Sequence, residues 1–408
     1  MSQPKPRFYE RYTKLPRNVL ALSLVSLLND TSSEIIYPLL PTFLFLALGA
    51  SPFAIGAIEG AAESTASLLK LFSGYFSDRF QKRKLLVFIG YAMASVTRPM
   101  LILVTSWQQV LFVRLTDRVG KGIRGTPRDA LLSMAVPPEK RGLAFGFNRA
   151  ADHLGAVFGP IIASALLYFY AQNLANPTID EYKQVFLVAS VPVILGLFVI
   201  IFLVKEEKVI TAEKPKLNLS LTGFDGNFKR FLFVIALFTL SNSSDAFLLL
   251  RAQQSGIAPA TLPLLWMVLH ISKVVSSLVG GNLSDKLGRK KLIFSGWILY
   301  ALVYAGFAFV GSAEGAWALF IIYGVYFGLS EGAEKALVAD LVPPEKRGTA
   351  FGLYNLAFGI TVFPASLLIG ALWNEFGATT AFLVSAFISL CAAAIFLTVK
   401  TSKTGDEN

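Results

Sequence analysis

Among its 408 residues the chain has one cysteine, Cys391, and two histidines, His153 and His270. A single thiol within an apolar run excludes an intrachain disulfide and a cysteine-built metal site, and two widely separated histidines offer no metal cluster. Charge is scarce too: Asp, Glu, Lys and Arg make up 15% of residues, against roughly 25% in soluble domains. No glycine-rich loop ending in Lys-Ser or Lys-Thr is present, which argues against ATP as an energy source. Neither a Ser-His-Asp set nor paired metal-binding histidines point to an intramembrane enzyme, so no catalytic residue and no cofactor are expected. A cleavable signal peptide is not expected either. Residues 1–17 are polar and basic, and the first apolar run is too long and lacks a small-residue cleavage site.

What the chain has instead is apolar length. It is 54% hydrophobic with a mean hydropathy of +0.59, the composition of an all-α polytopic membrane protein embedded in a lipid bilayer. Twelve stretches of membrane-spanning length fall at residues 18–48, 52–77, 85–105, 107–134, 142–171, 183–204, 229–251, 259–284, 291–312, 314–340, 348–373 and 378–399. The formal charge of +11 does not imply nucleic acid, because Lys and Arg cluster in loops on alternate sides of the spans, as topology signals do. On that rule the basic side is cytoplasmic and holds both termini. The expected parts are a cytoplasmic segment (1–17), a six-helix bundle (18–204), a cytoplasmic linker (205–228), a second six-helix bundle (229–399) and a cytoplasmic tail (400–408).

Two repeats support the division into pseudo-symmetric halves. Val136 to Gly146 recurs as Val342 to Gly352 with ten of eleven positions identical. Its Pro-Pro-Glu-Lys-Arg core suits a helix entry at a basic membrane face. The second repeat joins Gly74, Asp78, Arg79, Lys82 and Arg83 to Gly281, Asp285, Lys286, Gly288, Arg289 and Lys290. This spacing resembles the loop signature of the major facilitator superfamily, G-x-x-x-D-[RK]-x-G-[RK]-[RK], with Gln81 in place of the second glycine in the first copy. The resemblance covers essentially the whole chain. It implies two six-helix halves around a midplane site, a monomer, and a cytoplasmic gate at Gly74, Asp78, Arg79, Gly281, Asp285 and Lys286. Arg114, followed by Asp117 and Gly120, resembles that family's fourth-helix pattern, with Asp117 for Gln and Arg118 for Gly. Gly146, Gly155, Gly159 and Pro160 resemble the motif of exporters that exchange substrate for protons, although Ala163 and Ser164 replace its last glycines. For these small residues plain helix packing is the other reading.

The most charged span is residues 114–129. Asp117, Lys121, Arg124 and Arg128 are spaced i, i+4, i+7 and i+11, which puts them on one helix stripe, with Arg114 and Arg118 alongside. A charge in hydrocarbon costs several kcal/mol, so this stripe is expected to face water, protein or ligand. Other polar groups within spans are Asp30, Glu34, Glu59, Glu63, Arg98, Arg149 and Asp152 in the first half. The second half has Asn242, Asp245, His270, Glu331, Glu334 and Asn355. Aligning the Val-Pro-Pro repeats sets Glu334 opposite the Arg128 position, so the two are expected to act with Glu331 at the cytoplasmic gate.

These residues lead to a secondary transporter that alternates between inward-open and outward-open states, rather than an enzyme. The expected substrate cavity contains Arg98, Arg114, Asp117, Arg118, Arg149, Asn242, Asp245, His270 and Asn355, because forked guanidinium donors suit a carboxylate or phosphate. Asp30, Glu34, Glu59, Glu63 and Asp152 are the candidates for carrying a proton, the expected coupling ion. Each has an ordinary alternative as the neutralising partner of a nearby arginine. The reading is efflux of a small anionic or amphiphilic solute or drug across a bacterial inner membrane. Its alternatives are proton-coupled import of a metabolite or metal chelate, and a non-transporting membrane sensor or scaffold.

Overall fold

Pro-Pro-Glu-Lys-Arg occurs twice and folds the same way both times. The structure, a computed structural model, describes residues 15–80, 82–206 and 220–400, without the side chains of residues 78, 80, 281, 282, 284 and 285. Each copy of the repeat forms a 3-10 turn, Pro138–Lys140 and Pro344–Lys346. Each turn then enters a long helix through a lysine of matching conformation, Lys140 (φ −103°, ψ 0°) and Lys346 (φ −99°, ψ −4°). Proline suits this place because its fixed φ is helical and its missing N–H would have no partner there. The following arginines reach back alike, Arg141 Nε to the Ser133 carbonyl at 3.2 Å and Arg347 Nε to the Ala339 carbonyl at 3.3 Å.

The described residues form helices α1 (Arg17–Ile36), α2 (Pro52–Phe80), α3 (Arg83–Met100), α4 (Trp107–Met134), α5 (Arg141–Tyr170) and α6 (Ile179–Leu203) in the first half. The second half has α7 (Gly226–Ser241), α8 (Ala246–Gln254), α9 (Leu262–Leu287), α10 (Arg289–Phe309), α11 (Ala313–Asp340) and α12 (Arg347–Phe396). These make the twelve expected crossings in a different partition. The first crossing ends early, at Ile36, and continues irregularly to Ala47 through Pro38 and Pro41. The seventh is broken into α7 and α8 by residues 242–245. The last two run together as α12 and are separated by Gly377, at φ 84° and ψ 167°, a left-handed conformation that glycine adopts without a Cβ penalty. Among the described residues, eight helical stretches are long and apolar enough to cross a membrane. Helices α2, α3 and α4 are not among them, because they carry the polar cluster analysed below.

Polar side chains tie the helix ends together at the basic face. Arg17 donates to the Phe202 carbonyl, Lys84 to that of Ile201, and Glu206 accepts from the Arg83 and Lys84 amides. In the second half Lys290 donates to the carbonyls of Leu397 and Val399, and Arg289 pairs with Asp340. The two halves touch toward the opposite face, α2 against α12 and α5 against α9. Ser64 Oγ donates to the Gly359 carbonyl at 2.6 Å, and Ser164 Oγ to the Ala260 carbonyl at 2.7 Å. Toward the basic face the halves part around a cavity of about 1030 Å³, whose lining runs from Tyr37 and Ser366 to Gly74, Asp129, Lys335 and Gly348. The conformation is therefore open at the end that carries the basic loops.

Two glycines of the α5 motif behave differently. A Cβ on Gly159 would lie 2.6 Å from Glu34 Cβ and 2.7 Å from the Thr31 carbonyl, so α5 crosses α1 there at backbone distance. A Cβ on Gly146 would meet nothing within 4 Å, so the expected packing role stops short of that residue. Gly159→Val should therefore destabilise by about 1–3 kcal/mol through overpacking. Gly146→Ala should be neutral or stabilising by up to about 1 kcal/mol through helix propensity. Thermal unfolding in detergent compares the two, and equal melting temperatures would refute the assignment of Gly159 to close α1–α5 contact.

Candidate functional site

The cavity wall contributed by the first half is built on Asn29. Its backbone carbonyl and Oδ1 accept from Arg98 Nη1 and Nη2, each at 3.0 Å, and Oδ1 also accepts from Arg124 Nη2 at 3.2 Å. Its Nδ2 donates to Asp30 Oδ1 at 2.9 Å. Arg98 is completed by Asp117 at 3.3 Å, and Arg124 by the Gly90 carbonyl at 3.0 Å and the Tyr91 ring at 4.3 Å. Arg114 forms a two-pronged pair with Glu59, at 3.0 and 2.7 Å. Arg98, Arg114, Asp117, Glu59 and Arg124 are all buried. Most of the charged stripe is thus consumed internally, each guanidinium being neutralised or hydrogen-bonded by α1, α2 or α3, as burial requires.

The remainder is not. Arg118 lies 4.0 Å from Glu63, and its buried Nε has no hydrogen-bond partner. Lys121 and Lys70 are exposed to the cavity, and no ion pair within 4.0 Å is found for either among the described residues. Asp30 lines the cavity with Asn29 as its hydrogen-bond partner. Asp152 lies 3.7 Å from the exposed Arg149, accepts weakly from Asn148 at 3.5 Å and keeps one buried oxygen without a partner. Glu34 accepts from Trp266 Nε1 of the other half at 2.7 Å.

The opposing wall is aromatic, with Phe238, Trp266, Tyr326, Phe327, Tyr354 and Phe358 among its residues. Here the carboxylates are already engaged. Asp245, in the break between α7 and α8, accepts from Tyr323 at 2.8 Å and lies 3.8 Å from Lys273. Glu334 accepts from Trp297 Nε1 and the Tyr354 hydroxyl, both at 2.9 Å, and Glu331 pairs with Lys335 at 2.7 Å.

The cavity brings together eight of the nine residues expected to line it: Arg98, Arg114, Asp117, Arg118, Arg149, Asn242, Asp245 and Asn355. His270 is the exception. It sits against the Trp266 ring, 5.1 Å between centroids, with Nε2 3.9 Å from Glu34, and it does not line the cavity. Arg98, Arg114 and Asp117 hold other residues rather than present free donors. The expected Arg128–Glu334 contact is not formed. Arg128 binds its neighbour Asp129 at 3.0 Å and Ser26 at 3.1 Å, because the halves are apart at this end. Of the loop motif, Gly74 lines the cavity, Arg79 bonds Tyr75 and Lys286 is exposed. Gly281 lies within α9, and the side chains of Asp78 and Asp285 lie outside the described residues. The aromatic wall was missed. An indole inside a membrane helix needs an acceptor for its N–H, and Trp266 could have been flagged on that ground.

Comparison with known proteins follows from this geometry. A family model described as Major Facilitator Superfamily matches residues 22–333 and 231–408. An uncharacterized MFS-type transporter of Methanocaldococcus jannaschii is 36% identical over 374 residues, covering 90% of each chain. The cis,cis-muconate transport protein of Acinetobacter baylyi is 21% identical over 317 residues, 73% of each. The crystal structure of the nucleoside transporter NupG superposes with a TM-score of 0.76 at 16% identity, covering 93% of this chain and 98% of that one.

Removing one partner of a buried ion pair leaves the other charge unpaired and typically costs about 3–5 kcal/mol. Arg114→Gln and Glu59→Gln should each destabilise on that scale, and the double variant should be more stable than either single one. Thermal unfolding of all four proteins in detergent closes the cycle. Additive losses would mean that Arg114 and Glu59 act independently.

Proposed function

Because the chain belongs to the major facilitator superfamily, and so is an integral membrane transporter, we propose that it carries an organic anion together with a proton by alternating access. The single observation behind this reading is the division of the charged stripe. Arg98, Arg114 and Arg124 are spent on Asn29, Asp117, Glu59 and Gly90, whereas Lys121 stands in the open cavity with no ion pair within 4.0 Å among the described residues, and Arg118 has only Glu63 at 4.0 Å and an Nε without a hydrogen-bond partner. Two adjacent cations in a water-filled cleft are a receptor for a carboxylate or phosphate. The relative from Acinetobacter baylyi, a cis,cis-muconate transport protein, is in keeping with such a cargo.

Glu63 supplies the coupling. Arg118 lies 4.0 Å from it, and Lys121, Arg114 and Lys70 line the same cavity. An anion that takes Arg118 and Lys121 deprives the carboxylate of counter-charge, and a proton then neutralises it. Proton and anion are therefore bound together, which makes co-transport the favoured form. Asp30, Glu34 and Asp152 are the other carboxylates free to exchange a proton, whereas Glu59 is committed to Arg114. The basic, open end is cytoplasmic in this reading, the membrane a bacterial inner membrane and the transporter a monomer. Export in exchange for protons is a second reading, favoured by the α5 motif, whose Gly155 and Gly159 pack on α1 beside Asp30 and Glu34.

Proton movement on ligand binding separates the two. Naphthalene-2-carboxylate added to purified protein in weakly buffered solution should cause uptake of about one proton per anion bound. Glu63→Gln should bind the anion without that uptake, and in proteoliposomes should exchange it down a gradient while losing uphill accumulation. Proton release on binding would instead establish the exchange reading. Unchanged uptake in Glu63→Gln would remove Glu63 from the coupling role.

A further inference from the structure

The internal repeat assigns more than the fold. Helices α4 and α11 are displaced from one another by 206 residues at both ends, Trp107 to Ala313 and Met134 to Asp340. Lys121 and Phe327 are thus equivalent positions, and both line the cavity from opposite walls. Where the first half places a cation, the second places a ring. Side-chain contacts join the two places. Glu34 lines the cavity with Arg118 and Lys121, and it holds the Trp266 indole at 2.7 Å. Trp266 lies 5.0 Å from Tyr37 and, through the ammonium of Lys273, is linked to Phe327, whose ring centroid is 3.5 Å from Lys273 Nζ.

From this juxtaposition we propose a binding subsite for an aromatic carboxylate, with the carboxylate on Arg118 and Lys121 and the ring against Phe327 and Trp266. The proposal rests on the anion reading above and narrows it from any organic anion to one with a flat unsaturated body. Two physical points support the ring. First, Arg118 Nε is buried and without a partner, so the anionic end is drawn into the cavity rather than left at the mouth. Second, the carboxylates of the aromatic wall are already engaged, Glu334, Glu331 and Asp245 being bonded to their own half, and the Lys273 ammonium beside Phe327 is paired with Asp245 at 3.8 Å. An aliphatic body would gain only burial there, whereas a ring also gains offset-stacked or edge contacts. A second cationic group would find no unengaged acceptor on that wall.

Isothermal titration of the full-length purified protein with three probes of similar size tests this: naphthalene-2-carboxylate, decahydronaphthalene-2-carboxylate and naphthalene-2-carboxamide. The naphthoate should bind about two- to tenfold more tightly than the saturated acid, the range expected of aromatic pairing. It should bind about tenfold or more tightly than the amide, as expected when a charge-assisted hydrogen bond is lost. Arg118→Gln should abolish the acid-over-amide preference. Phe327→Leu, which keeps an apolar side chain in place, should abolish the ring preference and leave the acid preference intact. Equal binding of naphthoate and saturated acid by the unaltered protein overturns the aromatic subsite while leaving the anion reading standing. Equal binding of naphthoate and amide, or no binding of any probe, overturns both. A ring preference that survives in a folded Phe327→Leu places the ring elsewhere and overturns this site. The three probes on the unaltered protein decide the ligand class even if neither variant folds.

Discussion

A guanidinium within the membrane has to be satisfied where it stands, and in the first half this requirement organises three helices at once. Asn29 of α1 accepts from arginines of α3 and α4 and donates to its own neighbour Asp30, so one amide side chain sets the spacing of three elements. The Arg114–Glu59 pair adds α2 to the same network. Such a network fixes geometry better than it adds stability, since desolvation offsets much of the attraction. Its effect is to hold Arg118 and Lys121 at a defined place in the cavity without spending them.

The second half solves the same packing problem with rings. A shift of 206 residues carries Arg98 to Tyr304, Asp117 to Tyr323, Arg114 to Phe320 and Tyr91 to Trp297. The ion pair between Arg98 and Asp117 at 3.3 Å has its counterpart in Tyr304 and Tyr323, whose rings are 6.2 Å apart. Around them Tyr300 stacks on Tyr304 at 4.1 Å and Phe238 on Trp297 at 4.3 Å. Two bundles of one ancestral plan thus present chemically opposite faces to the space between them. A symmetric scaffold acquires in this way a polar side and an aromatic side, which an amphiphilic solute can read.

The twelve crossings, the division into halves and the helix entry at Pro-Pro-Glu-Lys-Arg were legible in the sequence, because hydrophobic length, basic loops and exact repetition are local signals. The charged stripe was legible too, but not which of its members are spent. Arg98 and Arg118 look alike in sequence, and only the positions of Asn29 and Asp117 distinguish them. The break at residues 242–245 carries no proline or glycine, and its local signal is the polar run Asn242-Ser243-Ser244-Asp245, whose side chains compete with the helix for backbone hydrogen bonds. Its exposed backbone is satisfied from elsewhere, by the Tyr300 hydroxyl on the Ser241 carbonyl and by Ser366 on the Ser244 amide. Arg128 and Glu334 occupy equivalent positions 206 residues apart, and with that end open each is bonded within its own half.

The seal between the halves has a property that bears on how readily it parts. It relies in part on neutral hydroxyls that lend a proton to a backbone carbonyl across the gap, Ser64 to Gly359 and Ser164 to Ala260. A serine in a helix has a second acceptor always within reach, the carbonyl one turn earlier in its own helix. When the halves separate, each hydroxyl can rotate about one bond and satisfy itself at home, and the carbonyl it leaves is already bonded within a helix or meets entering water. The closure is thus a set of reversible loans rather than a lock. Both hydroxyls can therefore part without being stranded, whereas the Trp266 indole N–H that crosses to Glu34 at 2.7 Å must find another acceptor, such as entering water.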